Sequence, residues 1–115
     1  MRLNLLVVLV LQILMISCSS FNKEDQEKAM FHLRIGTNYL NSGEYPEALS
    51  ELIQAEKLDD VYPLIQNNLG LAYFFRGQSL LAEKHLTKAI LLKPEYTDAK
   101  NNLGRILIEN TKYSL

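Results

Sequence analysis

Asn67-Asn68-Leu69-Gly70-Leu71-Ala72-Tyr73, continuing through Gly77, Ala82 and Ala89 to Pro94, is the stretch whose reading decides the fold. Shifted by 34 residues, it falls on an earlier copy: Gly36 on Gly70, Tyr39 on Tyr73, Gly43 on Gly77, Ala48 on Ala82, Leu52 on Leu86, Ala55 on Ala89 and Leu58 on Leu92. The same shift pairs Tyr62 with Tyr96, Asn67 with Asn101, Asn68 with Asn102, Leu69 with Leu103 and Gly70 with Gly104, opening a third copy. A period of this length marks stacked helical hairpins, because one hairpin cannot bury its apolar face alone and its neighbours complete the core. The expectation is an all-α, right-handed helix-turn-helix solenoid of five helices, about two and a half units.

Outward from that stretch, the punctuation is regular. Asn22, followed by Glu24, Asp25 and Glu27, offers a cap and an acidic first turn for the first helix, which predicts its start there. Ala29, Leu33, Ile35, Gly36, Tyr39 and Leu40 recur at helical spacing, and Gly43 ends the helix. Pro46 suits the first turn of a second helix carrying Ala48, Leu49, Leu52, Ile53, Ala55 and Leu58, while Pro63 opens a third that runs to about Arg76. A fourth spans about Ser79 to Leu92, and a fifth about Thr97 to Asn110. In the fifth, Leu103 and Leu107 are expected inward, with Lys100, Arg105 and Glu109 toward water.

Chemistry is sparse. With 12 basic and 13 acidic residues and a formal charge of -1, the chain has no field to gather nucleic acid, which is therefore not an expected partner. Glu44, Glu47 and Glu51 read as a solvated helix face. His32 and His85 stand without ligands at metal spacing, so neither metal nor cofactor is expected. No phosphate loop, nucleophile elbow or convergent acid-base set is present, and the chain is not read as an enzyme.

The front is different. Met1-Arg2 precedes an apolar run from Leu3 to Ile16, too short for a stable span of about 20 residues and suited to a signal peptide. An uncleaved anchor or a buried helix is the alternative. Met15-Ile16-Ser17-Cys18 resembles a bacterial lipobox, with Ile16 where a small residue is usual. The resemblance implies cleavage before Cys18 and lipidation of its sulfur, and Cys18 is the sole cysteine, so no intrachain disulfide forms. Three acyl chains would make a permanent anchor, at about 0.8 kcal/mol per inserted CH₂. Ser19, where Asp is absent, implies outer-membrane delivery facing the periplasm, and the tether to Asn22 is short.

From Ala29 to Asn110 the chain resembles the tetratricopeptide repeat family, carried by the small residues Gly36, Gly70, Gly104, Ala48 and Ala82, by Tyr39 and Tyr73, by Ala55 and Ala89, and by Pro94. Asp60 stands where the first unit would have its proline, and His32, Gln66 and Lys100 replace a usual bulky apolar residue, implying looser packing there. The expected parts are a signal peptide over residues 1–17, a lipidated tether over 18–28, repeats over 29–62 and 63–96, and a partial repeat or capping helix over 97–115. The resemblance implies a concave groove for a protein partner, a peptide or helix, lined by Leu33, Thr37, Leu40, Leu64, Asn67, Leu71, Phe74, Phe75, Asn101, Arg105 and Ile108.

Family members that grip a terminal carboxylate use Lys, Asn and Arg on this face. The matching positions are Leu33, Thr37, Asn68, Asp98 and Asn102, so an apolar segment is expected instead. The combination implies a membrane-anchored scaffold or assembly factor of the bacterial envelope, with pilotin-like lipoproteins the nearest subgroup. The alternatives are a lipoprotein that self-associates through Ile106 and Ile108, and an accessory subunit of an envelope enzyme.

Overall fold

The computed structural model describes the backbone of residues 2–114, and the side-chain surroundings of residues 4–13 and 23–114. Five helices follow one another: α1 (Arg2–Ser42), α2 (Tyr45–Leu58), α3 (Pro63–Phe75), α4 (Ser79–Leu92) and α5 (Thr97–Ser114). Helices α1 with α2 and α3 with α4 form hairpins, and α2 and α4 each pack onto the next helix in turn. The architecture is the expected all-α solenoid.

Two glycines shape the hairpins. Gly43 and Gly77 take φ of 78° and 75°, the left-handed region that side chains disfavour. After each, the chain closes a paired terminus: Gly43 N donates to Leu40 O and Glu44 N to Tyr39 O, while Gly77 N donates to Phe74 O and Gln78 N to Tyr73 O. Pro46 and Pro63 sit in the first turns of α2 and α3, where a missing N–H leaves no bond unmade.

Helix α1 corrects one boundary. It does not begin at Asn22 but runs unbroken from Arg2, because residues 2–35 contain neither Gly nor Pro and nothing interrupts the hydrogen-bond ladder. Leu5 to Leu11 and Ile13 are at least half exposed or close to it along its N-terminal part. Among the described residues, no helix is long and apolar enough to cross a membrane. Cys18 lies outside the residues whose side chains are described. Helix α5 also outlasts its expected end at Asn110, continuing to Ser114, with Thr111 Oγ1 donating to Leu107 O and Ser114 Oγ to Asn110 O.

The core forms two clusters. Ala29, Leu33, Ala48, Leu52, Ala55, Ile65, Leu69 and Ala72 make the first, and Ala82, Leu86, Ala89, Ala99 and Ile106 the second, with Tyr73 packed against both. Close approach explains the small residues: a Cβ on Gly36 would stand 2.7 Å from Leu52 Cγ, and one on Gly70 2.5 Å from Leu86 Cγ. Large residues there would drive the hairpin apart.

Candidate functional site

Where looser packing was expected, the structure builds polar pairs. His32 of α1 meets Glu51 of α2 at 2.7 Å, and at the equivalent places one repeat later Gln66 of α3 meets His85 of α4 at 2.8 Å. Glu51 is therefore not a free member of a solvated acidic face, because a histidine from the neighbouring helix converges on it. Fully buried Gln66 donates through Nε2 to Glu56 Oε2 and to Asp60 O, which leaves Oε1 to accept from His85 Nδ1. His85 stacks on Tyr73 with centroids 5.3 Å apart. Burial pushes its imidazole below the ordinary value, reinforced by Lys84 and Lys88 and opposed by Glu56, while burial and then Glu56 raise the Tyr73 phenol. Every described buried side-chain polar atom has a partner. Among the described residues, no group of three or more His, Cys, Asp or Glu could hold a metal ion.

The face formed by α1, α3 and α5 carries a second polar device. Asn102 Nδ2 donates to Asn67 Oδ1 at 3.0 Å, Asn67 Nδ2 to Asn68 Oδ1 at 3.1 Å, and Asn68 Nδ2 to Thr37 Oγ1 at 2.8 Å. Thr37 Oγ1 then donates to Leu33 O at 2.7 Å. This ladder spans three helices, and its two central amides are each only 5% exposed. Each amide spends one of its two N–H donors inside the ladder, and burial withdraws Asn67 from the groove surface where it was expected. Repetition of Asn-Asn at 67–68 and 101–102 was the sequence signal for it, but the pairing across helices was not legible.

Beside the ladder lies an aromatic strip. Phe75 stacks on Tyr45 with centroids 4.8 Å apart and lies 5.5 Å from Phe74, and the Arg105 guanidinium sits 5.8 Å from the Phe74 centroid. Leu64 and Phe75 are exposed, Leu71 and Phe74 half-buried, and Asn101 and Arg105 exposed. Tyr45 was missed because it belongs to α2 and reaches Phe75 only through the stacking of the two hairpins. Leu40 is half-buried against the first core. Leu33 is a correction: at 5% exposure it belongs to the core, where Ile65 and Leu69 also lie, and presents no groove surface.

The fifth helix brings two more corrections. Ile106, expected as a docking residue, is fully buried in the second core, so only Ile108, 60% exposed, remains on the surface. Leu107, expected inward, is 43% exposed because none of the described helices covers that side of α5.

A helical-hairpin solenoid with a mixed amide and aromatic face along its odd-numbered helices defines a repeat scaffold, a class built for holding other proteins. Family comparison makes it specific: models for the TPR repeat and the tetratricopeptide repeat match residues 36–77 and 65–96, together more than half of the chain. The chain belongs to the tetratricopeptide repeat proteins. It is similar to the second TPR of Spaghetti (RPAP3) bound to the HSP90 peptide SRMEEVD, at 25% identity and TM-score 0.73, over 79% of this chain and 83% of that one. The first TPR of Spaghetti (RPAP3), bound to the same peptide, gives 26% identity and TM-score 0.72 over 76% and 69%. The second TPR domain of human RPAP3, in complex with the HSP70 peptide SGPTIEEVD, gives 28% identity and TM-score 0.66 over 69% and 66%. No curated protein matches the chain.

Proposed function

We propose that this protein is a peptide-binding scaffold whose α1, α3 and α5 face holds an apolar segment of a partner protein, and that it is tethered to the bacterial envelope through a lipidated Cys18. The observation that carries the binding half is the strip of Leu64, Leu71, Phe74 and Phe75 laid beside the amide ladder. Apolar side chains of a ligand would pack on the strip, while exposed Asn101, and Arg105 lying over the Phe74 ring, stand at its edge to meet backbone carbonyls. Peptide capture by the similar RPAP3 domains supports the mode of binding.

The chemistry of the ligand differs from theirs. Both peptides end in EEVD, whose acidic character and terminal carboxylate call for cations. At the five matching positions this chain has a buried Leu33, a half-buried Thr37 bonded to buried Asn68, Asn102 bonded to Asn67, and an acidic Asp98. A desolvated carboxylate would therefore find no opposite charge there. The preferred segment is apolar and uncharged.

In-cell crosslinking with identification of the neighbours tests the groove. Leu71→Glu with Phe74→Glu should remove partner crosslinks by tenfold or more while helical content by circular dichroism is retained; crosslinks that persist in a folded double variant would place binding elsewhere. The lipobox resemblance supports the anchor, outer-membrane delivery and an assembly role near that of pilotin-like lipoproteins. Cys18→Ala should leave an unprocessed precursor without acyl label, and normal processing of that variant would refute the anchor.

A further inference from the structure

His85 has one ring nitrogen to spare. Its Nδ1 donates to Gln66 Oε1 at 2.8 Å and stands 3.4 Å from Glu56 Oε2, while the ring stacks on Tyr73. Nε2 meets no partner among the described residues. Every fully sealed side-chain nitrogen or oxygen there has one, so Nε2 reaches open space although the residue is only 9% exposed. That space is a cavity of about 290 Å³ between the two repeats, lined by Glu56, Lys57, Asp60, Lys84, His85 and Lys88. It is built on α2, the turn that follows it and α4, and shares no residue with the strip on α3 and α5.

The carboxylates of this cavity are already engaged. Glu56 Oε2 accepts from Gln66 Nε2 at 2.8 Å, and Asp60 Oδ2 from Lys88 Nζ at 3.3 Å. Lys57 and Lys84, both exposed, enter no ion pair among the described residues. Three lysines against two carboxylates leave positive charge in excess, and a cleft with an excess of one sign concentrates the other.

We propose that this cavity is a binding site for a single carboxylate group, taken up together with a proton on His85 Nε2. The proton is required because Nδ1 holds the one hydrogen of the neutral ring, which leaves a lone pair on Nε2 that would repel an anion. One proton from solvent turns that lone pair into a donor. The carboxylate then has three charged donors to meet, Nε2–H and the ammonium groups of Lys57 and Lys84. Glu56 and Asp60 oppose a second negative charge, which favours a monoanion over a dianion. Burial holds the imidazole below its ordinary value, opposed by Glu56 on α2 and reinforced by Lys84 and Lys88 on α4. Asp60 and Lys57 face the same space, and the Tyr73 phenol covers the ring from α3. A bound carboxylate offsets the lysines, so anion and proton must promote each other by the same factor.

The chain has two histidines, and His32 is the internal control. The full chain, isotope-labelled at histidine Cε1 and held in lipid nanodiscs, is titrated with acid by NMR in acetate and, at equal ionic strength, in chloride. Saturating acetate should raise the His85 midpoint by about one pH unit, a tenfold gain in proton affinity, and leave His32 unmoved. By reciprocity, acetate should bind about tenfold more tightly below the chloride midpoint than above the acetate one. Lys57→Gln with Lys84→Gln should abolish the shift, and Lys57→Arg with Lys84→Arg should keep it. The blocked peptide acetyl-Ala-Glu-Ala-amide offers the same group on a chain. Half-saturation at a lower concentration than acetate assigns the site to an acidic side chain of a partner, and the reverse assigns it to a free acid. An equal His85 midpoint in acetate and chloride, an equal shift at His32, or a shift that survives the double glutamine variant would overturn the proposal.

Discussion

Gly70 and Gly104 make the sharpest contrast in the molecule, being equivalent in sequence and opposite in surroundings. In Gly70→Ala the new Cβ would lie 2.5 Å from Leu86 Cγ, 3.1 Å from Leu86 Cδ2 and 3.2 Å from the Ala82 carbonyl oxygen. A branch carbon on one side and backbone on the other leave no flexible end to move aside, so the hairpin must open. Overpacking of that kind costs about 3 kcal/mol at the upper part of its usual range. Better helix propensity returns about 1 kcal/mol. The net expectation is a loss of about 2 kcal/mol, close to a thirtyfold fall in the folding equilibrium constant. Gly104→Ala collects the propensity gain with no clash and should stabilise by up to about 1 kcal/mol. Both are read by urea unfolding followed at 222 nm, with equal slopes required for the comparison. Adding Leu86→Ala to Gly70→Ala should cost less than the sum of the two single changes, because the truncated side chain vacates the space the new methyl needs. A Gly70→Ala variant as stable as the parent, or a destabilised Gly104→Ala, would refute the reasoning.

Two further outcomes concern the polar interior. His85 has its folded value pushed below its ordinary 6.5 by burial, so the unfolded chain binds the proton more readily and stability rises with pH through that region. The contribution should be complete above about pH 6.5 and lost progressively as pH falls below it. His85→Gln should flatten the slope between about pH 5 and 7 in unfolding midpoints; an unchanged slope would exonerate His85. Asn68→Leu strands the Asn67 amide and takes the partner from Thr37, costing about 1–3 kcal/mol in denaturant unfolding, whereas Asn102→Ala at the half-exposed end of the ladder should cost about 1 kcal/mol or less. Equal losses would mean that the ladder has no buried centre.

The sequence by itself determined the order of the helices and the places where they approach, but not where α1 begins or α5 ends. Those follow from local chemistry: Gly43 and Gly77 because only glycine takes a left-handed turn cheaply, Pro46 and Pro63 because they suit a first turn, and the 34-residue recurrence because each hairpin must offer the same small residues to its neighbour. Tertiary structure decided which apolar and polar residues do what. Leu33 and Phe75 look alike in the periodic pattern, yet one is sealed by Ile65 and Leu69 while the other stacks in the open on Tyr45. Ile106 and Leu107 adjoin in sequence and part company because α4 covers one side of α5 and none of the described helices covers the other. The amide ladder and the Gln66, Glu56 and His85 cluster link residues from 10 to 35 positions apart, or join neighbours such as Asn67 and Asn68 into a line across three helices. Local propensity carries no information about partners so distant, because hydrogen bonds between side chains depend on helix packing that only the assembled core sets.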